Sequence, residues 1–264
     1  MKIKLFLVSI LALVLVSGCE EKKPSIATTV YPVQYLVKRI GGEDVTVTNI
    51  TENTMIQRAQ IKASFKDTLE DSDALFYIGG LEPYMDLYVD DIRNTGVDMV
   101  DLATKSAIYK FERYTSTTID GVTAGTEGPY YEGEEFANLD TYDADPMLWM
   151  DPVAMTSMAS DIRDYLVQKY PQYKDIFDEN YDAVELDLAR LDADFQAIPD
   201  GKMSISFVSM TPSFGNWQKS YGIKVYPVTL SKYGALPTSD QLAAIKKRIK
   251  SNHVRYIAIE QNLP

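Results

Sequence analysis

Phe177, Tyr181, Val184, Leu188, Leu191 and Phe195 recur at spacings of four and three residues, an apolar stripe on one helical face. The pattern stops at Pro199-Asp200-Gly201, residues that end a helix and turn the chain. The spacing predicts one long helix over 173–198. On either side the apolar runs are short. Upstream, Ile26 to Val30 reads as a buried strand, Val33 to Ile40 as a helix closed by Gly41-Gly42, and Val45 to Ile50 as a half-buried strand of alternating Val and Thr. A helix around Ser64 to Glu70 leads into the strand Ala74 to Ile78, which stops at Gly79-Gly80. Downstream come a strand at Ser204 to Ser209, a helix from Asn216, a strand at Lys224 to Thr229, a helix at Ser239 to Lys250 and a strand at Val254 to Ile259. Strands alternating with helices imply mainly parallel sheets covered on both faces. The expected organisation is an N-terminal α/β lobe at 25–172, a connecting helix at 173–198 and a C-terminal α/β lobe at 199–264. A ligand belongs between such lobes, at the carboxyl ends of the strands. Residues 119–146, rich in Gly, Thr, Tyr and acid, lack apolar periodicity and read as a mobile or functional loop.

The N-terminus follows a different pattern. Lys2 and Lys4 precede an apolar run from Leu5 to Val16, and Val16-Ser17-Gly18-Cys19 closes it with small residues. That is a signal peptide over 1–18, with a run too short to span a membrane comfortably. Cys19 stands where lipoprotein processing exposes a new N-terminus, so a lipid on Cys19 would tether the chain to the outer face of the cell membrane through residues 19–24. Removal of 1–18 takes away two lysines and no acid, moving the formal charge from −12 to −14. Such an acidic surface argues against nucleic acid and for cations.

With Cys19 lipidated, no cysteine remains for a disulfide, a nucleophile or a thiolate ligand. The one histidine, His253, falls at the amino end of a predicted strand, away from the ligand side, and reads as a surface residue. These absences remove most histidine- and cysteine-based catalysis and the usual zinc sites. No spacing of carboxylates marks an acid–base pair, so an enzyme is not expected. Glu82 and Glu260 lie at or just after the carboxyl ends of strands, on the side where a ligand would sit.

Several blocks occur in order along the chain. They are Ala27-Thr28-Thr29-Val30-Tyr31-Pro32, Ile40-Gly41-Gly42, Asp73-Ala74-Leu75-Phe76-Tyr77, Gly80-Leu81-Glu82-Pro83 and Asp145-Pro146-Met147-Leu148-Trp149-Met150-Asp151-Pro152. Phe214-Gly215, Tyr221-Gly222 and Leu236-Pro237-Thr238-Ser239-Asp240-Gln241-Leu242 continue them. Together they resemble the substrate-binding lipoproteins of zinc and manganese ABC transporters. The resemblance implies two Rossmann-like lobes with mainly parallel sheets joined by a rigid helix, and one divalent cation, zinc or manganese, held between them. It also implies delivery to an ABC permease with its ATPase, and a monomeric chain.

The family's ligand positions are altered. A Pro-His pair is replaced by Asn53-Thr54-Met55-Ile56-Gln57-Arg58, a second histidine by Met147, and the third ligand by Thr211 beside Met210. The fourth, an acid, is expected beyond Glu260 and past Pro264, so the second lobe reads as truncated. Three readings stay open. Met55, Met147 and Met210 are soft donors suited to Cu(I), although methionine more often fills a core. Gln57, Thr211, Glu260 and loop acids near Glu132 and Asp143 offer oxygens to a hard cation. Alternatively the cleft takes a metal chelate or small organic ligand, with Trp149, Trp217, Tyr31 and Tyr233 on its walls. The expected function is a lipid-anchored solute-binding protein of a metal-ion importer. A surface adhesion lipoprotein that keeps the fold and has lost metal binding is the other reading.

Overall fold

The computed structural model describes residues 23–52, 56–104, 106, 109–200 and 205–259. The first lobe alternates strand and helix: β1 (Ser25–Thr28), α1 (Tyr31–Gly41), β2 (Thr46–Asn49), α2 (Phe65–Glu70), β3 (Ala74–Tyr77), α3 (Met85–Asn94) and β4 (Asp98–Asp101). The strands form one parallel sheet in the order β2–β1–β3–β4. Successive residues of a strand face opposite sides of a sheet, and both sides are covered. Ile26, Ala74 and Phe76 pack with Val33, Leu36, Val37 and Ile40 of α1. Ala27 and Leu75 pack with Phe65, Leu69 and Ile92 of α2 and α3. Each fully buried side chain of this size contributes roughly 1.5–3 kcal/mol relative to exposure, which is why these strands are apolar on both faces.

Helix α1 begins with Pro32 in its first turn, where a missing N–H costs no hydrogen bond. It ends at Gly42, whose left-handed φ of 58° lets its N–H reach back to the Lys38 carbonyl. Sequence patterning had left α3, β4 and a long helix at 152–169 unread. The residues of 119–146 also differ from the expected loop. They follow and include part of an antiparallel hairpin, β5 (Arg113–Ile119) and β6 (Val122–Gly128), turned at Asp120-Gly121, both with positive φ. Asp-Gly is the chemistry such a two-residue turn demands. The hairpin is half-buried or exposed over much of its length, so its threonines carry no apolar alternation. The stretch after it is anchored by Tyr130, Tyr131 and Tyr142, all buried.

Asp151 then caps α4 (Pro152–Lys169), accepting from the N–H groups of Val153 and Ala154. The stripe read from the sequence is α5 (Lys174–Asp200), 27 residues and so roughly 40 Å long. Its first part buries Phe177, Val184 and Leu188 in the first lobe's core. Its last part puts Phe195 and Ile198 against the second lobe. That lobe comprises β7 (Ser206–Ser209), α6 (Asn216–Tyr221), β8 (Lys224–Pro227), α7 (Ser239–Ser251) and β9 (Tyr256–Ile257), with a parallel sheet in the order β8–β7–β9. A capping box between Thr238 and Gln241 starts α7. Phe195 stacks on Tyr221 with centroids 4.9 Å apart, and the Tyr221 hydroxyl donates to Asp192 at 3.0 Å. One helix is thus part of both cores. Among the described residues, no helix is long and apolar enough to cross a membrane.

Candidate functional site at the seam between the lobes

The carboxyl ends of β1 and β3 release Thr28-Thr29 and the turn Gly79-Gly80-Leu81-Glu82 toward the second lobe. A cavity of about 280 Å³ there is lined by Gly80, Glu82, Tyr142 and Asp143 on one side and by Lys232 and Tyr233 on the other. The walls are tied across by backbone and side chain. The Lys232 N–H donates to the Asp140 carbonyl at 2.9 Å, and Arg58 donates to the Gly234 carbonyl at 2.9 Å. Tyr131 donates its hydroxyl to the Pro227 carbonyl at 2.8 Å. Trp217 and Asn216 of α6 donate to the carbonyls of Met150 and Met147 at 2.6 and 3.3 Å.

Buried polar groups are normally paired, and this seam holds several that are not. Both carboxylate oxygens of Glu82, the hydroxyls of Thr28, Thr29, Tyr84 and Ser209, one Asp145 oxygen and the Asn216 side-chain oxygen are buried without a hydrogen-bond partner. Burial pushes the Glu82 carboxyl up to about 8, and the nearby charge of Asp101 adds to the rise. Asp145 is raised by burial to about 7, offset by the backbone N–H groups of Met147 and Asn216. Its Oδ1 accepts from Met147 at 3.0 Å. Its Oδ2 lies where a Cβ on Gly215 would stand, at 2.1 Å, so the close approach of the lobes requires glycine there. Tyr142 sits in the field of both carboxyls, and its phenol is held protonated by burial and by them.

The residues singled out from the sequence fare unequally. Gln57 is buried, with its Cβ 3.2 Å from the place a Gly234 Cβ would occupy, so it lies where the lobes meet. Thr211 is buried just past β7 and shares a 2.8 Å hydrogen bond with Ser213. Met147 is 1% exposed and packs in the apolar core, whereas Met210 is half-buried and belongs to none of the apolar clusters. The described residues therefore do not gather the methionines into a thioether site. Met55, Glu260 and Cys19 lie outside the described residues. His253 is exposed. Of the expected aromatic walls, Tyr233 lines the cavity, but Trp217 packs on Phe195, Phe207 and Phe214 in the second lobe, and Tyr31 is 69% exposed. Trp149 packs against the first lobe's core. No group of three or more His, Cys, Asp and Glu among the described residues is placed to hold a metal. Asp145 and Tyr142 were missed as site residues; the only signal of Asp145 was its place at the head of an ordered block, and Tyr142 had none.

A family model described as "Zinc-uptake complex component A periplasmic" (ZnuA) matches residues 26–264. The zinc-binding lipoprotein AdcA of Streptococcus pneumoniae is 27% identical over 267 residues, covering 99% of this chain and 50% of that protein. The zinc-binding protein AdcA of Streptococcus pyogenes is 24% identical, covering 92% of this chain and 46% of that one. The chain spans about half the length of the curated relatives it matches. Among solved structures, ZnuA superposes with a TM-score of 0.69 at 20% identity, over 88% of this chain and 80% of that one. The laminin-binding adhesin Lmb of Streptococcus agalactiae does so with 0.73 at 19% identity, over 91% and 82%. These structural likenesses are of fold.

Proposed function

The chain belongs to the ZnuA family of zinc-uptake complex components, and from that membership we propose that it captures a divalent cation between its lobes and hands it to a membrane permease. The family is one of transport substrate-binding proteins and not of enzymes. Family members work outside the cytoplasm with an ABC permease and its ATPase. For this chain the finer reading is a monomer tethered by a lipid on Cys19, with lobes at 25–172 and 199–264 and the connector at 173–198. The observation that carries the reading is the family match across both lobes, joined by a helix that shares both cores.

The cargo proposed is zinc or manganese held through oxygens, with Gln57, Thr211 and Glu260 as donors and Met147 and Met210 as wall. Gln57 supports this by being buried where the lobes meet, Thr211 by being buried just past β7, and the burial of Met147 in the core argues for packing over thioether ligation. Elemental analysis after dialysis against mixed cations, with thermal shifts for Zn, Mn and Cu(I), tests it. The expected result is near-stoichiometric divalent cation, weakened by Gln57→Ala. Neither bound metal nor a shift with any of the three would overturn it and favour an adhesion role or a chelate ligand. The altered ligand positions are what keep that second reading in view.

A further inference from the structure

On the flank formed by β5, the 129–135 stretch and α7, a second cavity of about 270 Å³ is lined by Arg113, Tyr131, Glu132, Lys247, Arg248 and Ser251, among others. Two guanidinium groups from different elements share it. Arg39, Arg93 and Arg163 each have a carboxylate partner within 4 Å. Arg113 and Arg248 have no such partner among the described residues; the Nε of each is buried without a hydrogen bond, as is that of Arg163, but theirs alone of the three comes without a carboxylate nearby. They also lie close enough to repel: burial and the Arg248 charge both make Arg113 easier to deprotonate than a free arginine.

A basic residue in the last turn of a helix complements the carbonyls there, which accounts for Arg248 being on α7. It does not account for Arg113 arriving from β5 to face it. Like charges held together with unused donors are costly unless something anionic joins them. Three cationic side chains outweigh Glu132 and Glu135, the two acids of the lining. Glu135 turns back over Gly133, its oxygens 2.2 and 2.5 Å from where a Cβ would stand. Guanidinium forks suit tetrahedral oxyanions, which accept two parallel hydrogen bonds from each.

We propose that Arg113, Arg248 and Lys247 form a binding site for an oxyanion of the phosphate class, distinct from the cation seam. The same chemistry is offered by free inorganic phosphate and by the phosphodiester of an anionic lipid headgroup, and two arms separate these. In the first, inorganic phosphate is titrated calorimetrically into the full chain in low-salt chloride buffer. In the second, the chain is sedimented with vesicles of phosphatidylglycerol or of phosphatidylcholine. Saturable heat with phosphate marks a small-anion site; sedimentation with phosphatidylglycerol alone marks a headgroup site. Either supports the proposal if Arg113→Gln and Arg248→Gln each weaken it by about tenfold or more. Lys247 is exposed, so Lys247→Gln tests the site without threatening the fold and is expected to weaken binding severalfold. Lys246→Gln, on the same helix outside the cavity, should leave it unchanged. No saturable response in either arm overturns the proposal, as does an equal loss from Lys246→Gln, which would reduce the effect to surface charge.

Discussion

Replacing Glu82 by glutamine exchanges a carboxyl buried at the seam for a neutral group of the same shape. Glu82 is 4% exposed, and its carboxyl is raised from 4.5 to about 8. The direction of the linkage follows from the order in which the two states lose the proton. As pH rises, the unfolded chain releases it first, near 4.5, while the folded chain keeps it until about 8. Between those values the native state binds more protons, so stability falls with rising pH and levels off above the folded value. At 1.36 kcal/mol for each pH unit separating the two values, the loss between pH 5 and pH 9 comes to roughly 4 kcal/mol. That is an upper bound, since any water admitted to the carboxylate reduces its cost. Glutamine does not titrate and removes this contribution entirely.

Urea unfolding of the metal-free wild type and of Glu82→Gln, followed by tryptophan fluorescence from pH 5 to pH 9, measures the difference. The two are expected to be similar near pH 5, with the variant the more stable by a few kcal/mol near pH 9. Asp145, raised to about 7 by the same cause, gives the wild type and the variant the same residual slope, so the comparison isolates Glu82. Parallel curves across the range would refute the reasoning, because they would mean that Glu82 is ionised in the folded protein at neutral pH.

Gly215→Ala would set a methyl 2.1 Å from Asp145 Oδ2 and 2.8 Å from the Tyr130 hydroxyl, and should cost about 1–3 kcal/mol in a thermal melt. Phe195→Ala removes the half-buried ring stacked on Tyr221 and tilted against Trp217; a loss of about 2 kcal/mol is expected, with the tryptophan emission shifted to the red. Thr238→Ala deletes the capping box of α7 and should destabilise by about 1 kcal/mol in urea, whereas Thr238→Ser should retain most of that.

The parts of the fold that read directly from the chain are those where one period governs several consecutive residues. The Phe177–Phe195 stripe predicted α5 because one face of a helix meets apolar surface along its length. The strands β1 and β3 were readable because both faces are covered. α4 escaped notice although Ala154, Met158, Ala159, Ile162 and Leu166 are buried on it: its small residues and threonine dilute the stripe. The hairpin escaped because it stands largely in solvent and needs no apolar alternation. The seam shows the same division. Glu82 lines the cavity because a residue just past a parallel strand faces the crevice. Asp145 sits in an irregular stretch, so its burial depends on Gly215 and Asn216, seventy residues later, and no local pattern encodes that.

The shared helix also limits how the seam can open. Rotating one lobe against the other would pull Phe195 from Tyr221 and Trp217 or bend α5 within its length, and both cost buried apolar contact. The cross-seam hydrogen bonds of Arg58, Lys232 and Tyr131 come instead from short turns and irregular segments. Those segments lie at the low-stability end of a fold, so they can part without disturbing either sheet. Cargo entry by loop displacement around Gly234 therefore requires less disruption than hinge motion between the lobes. Each unpaired oxygen at the seam lowers the cost further, since water reaching Glu82 on opening gives hydrogen bonds that the closed form lacks.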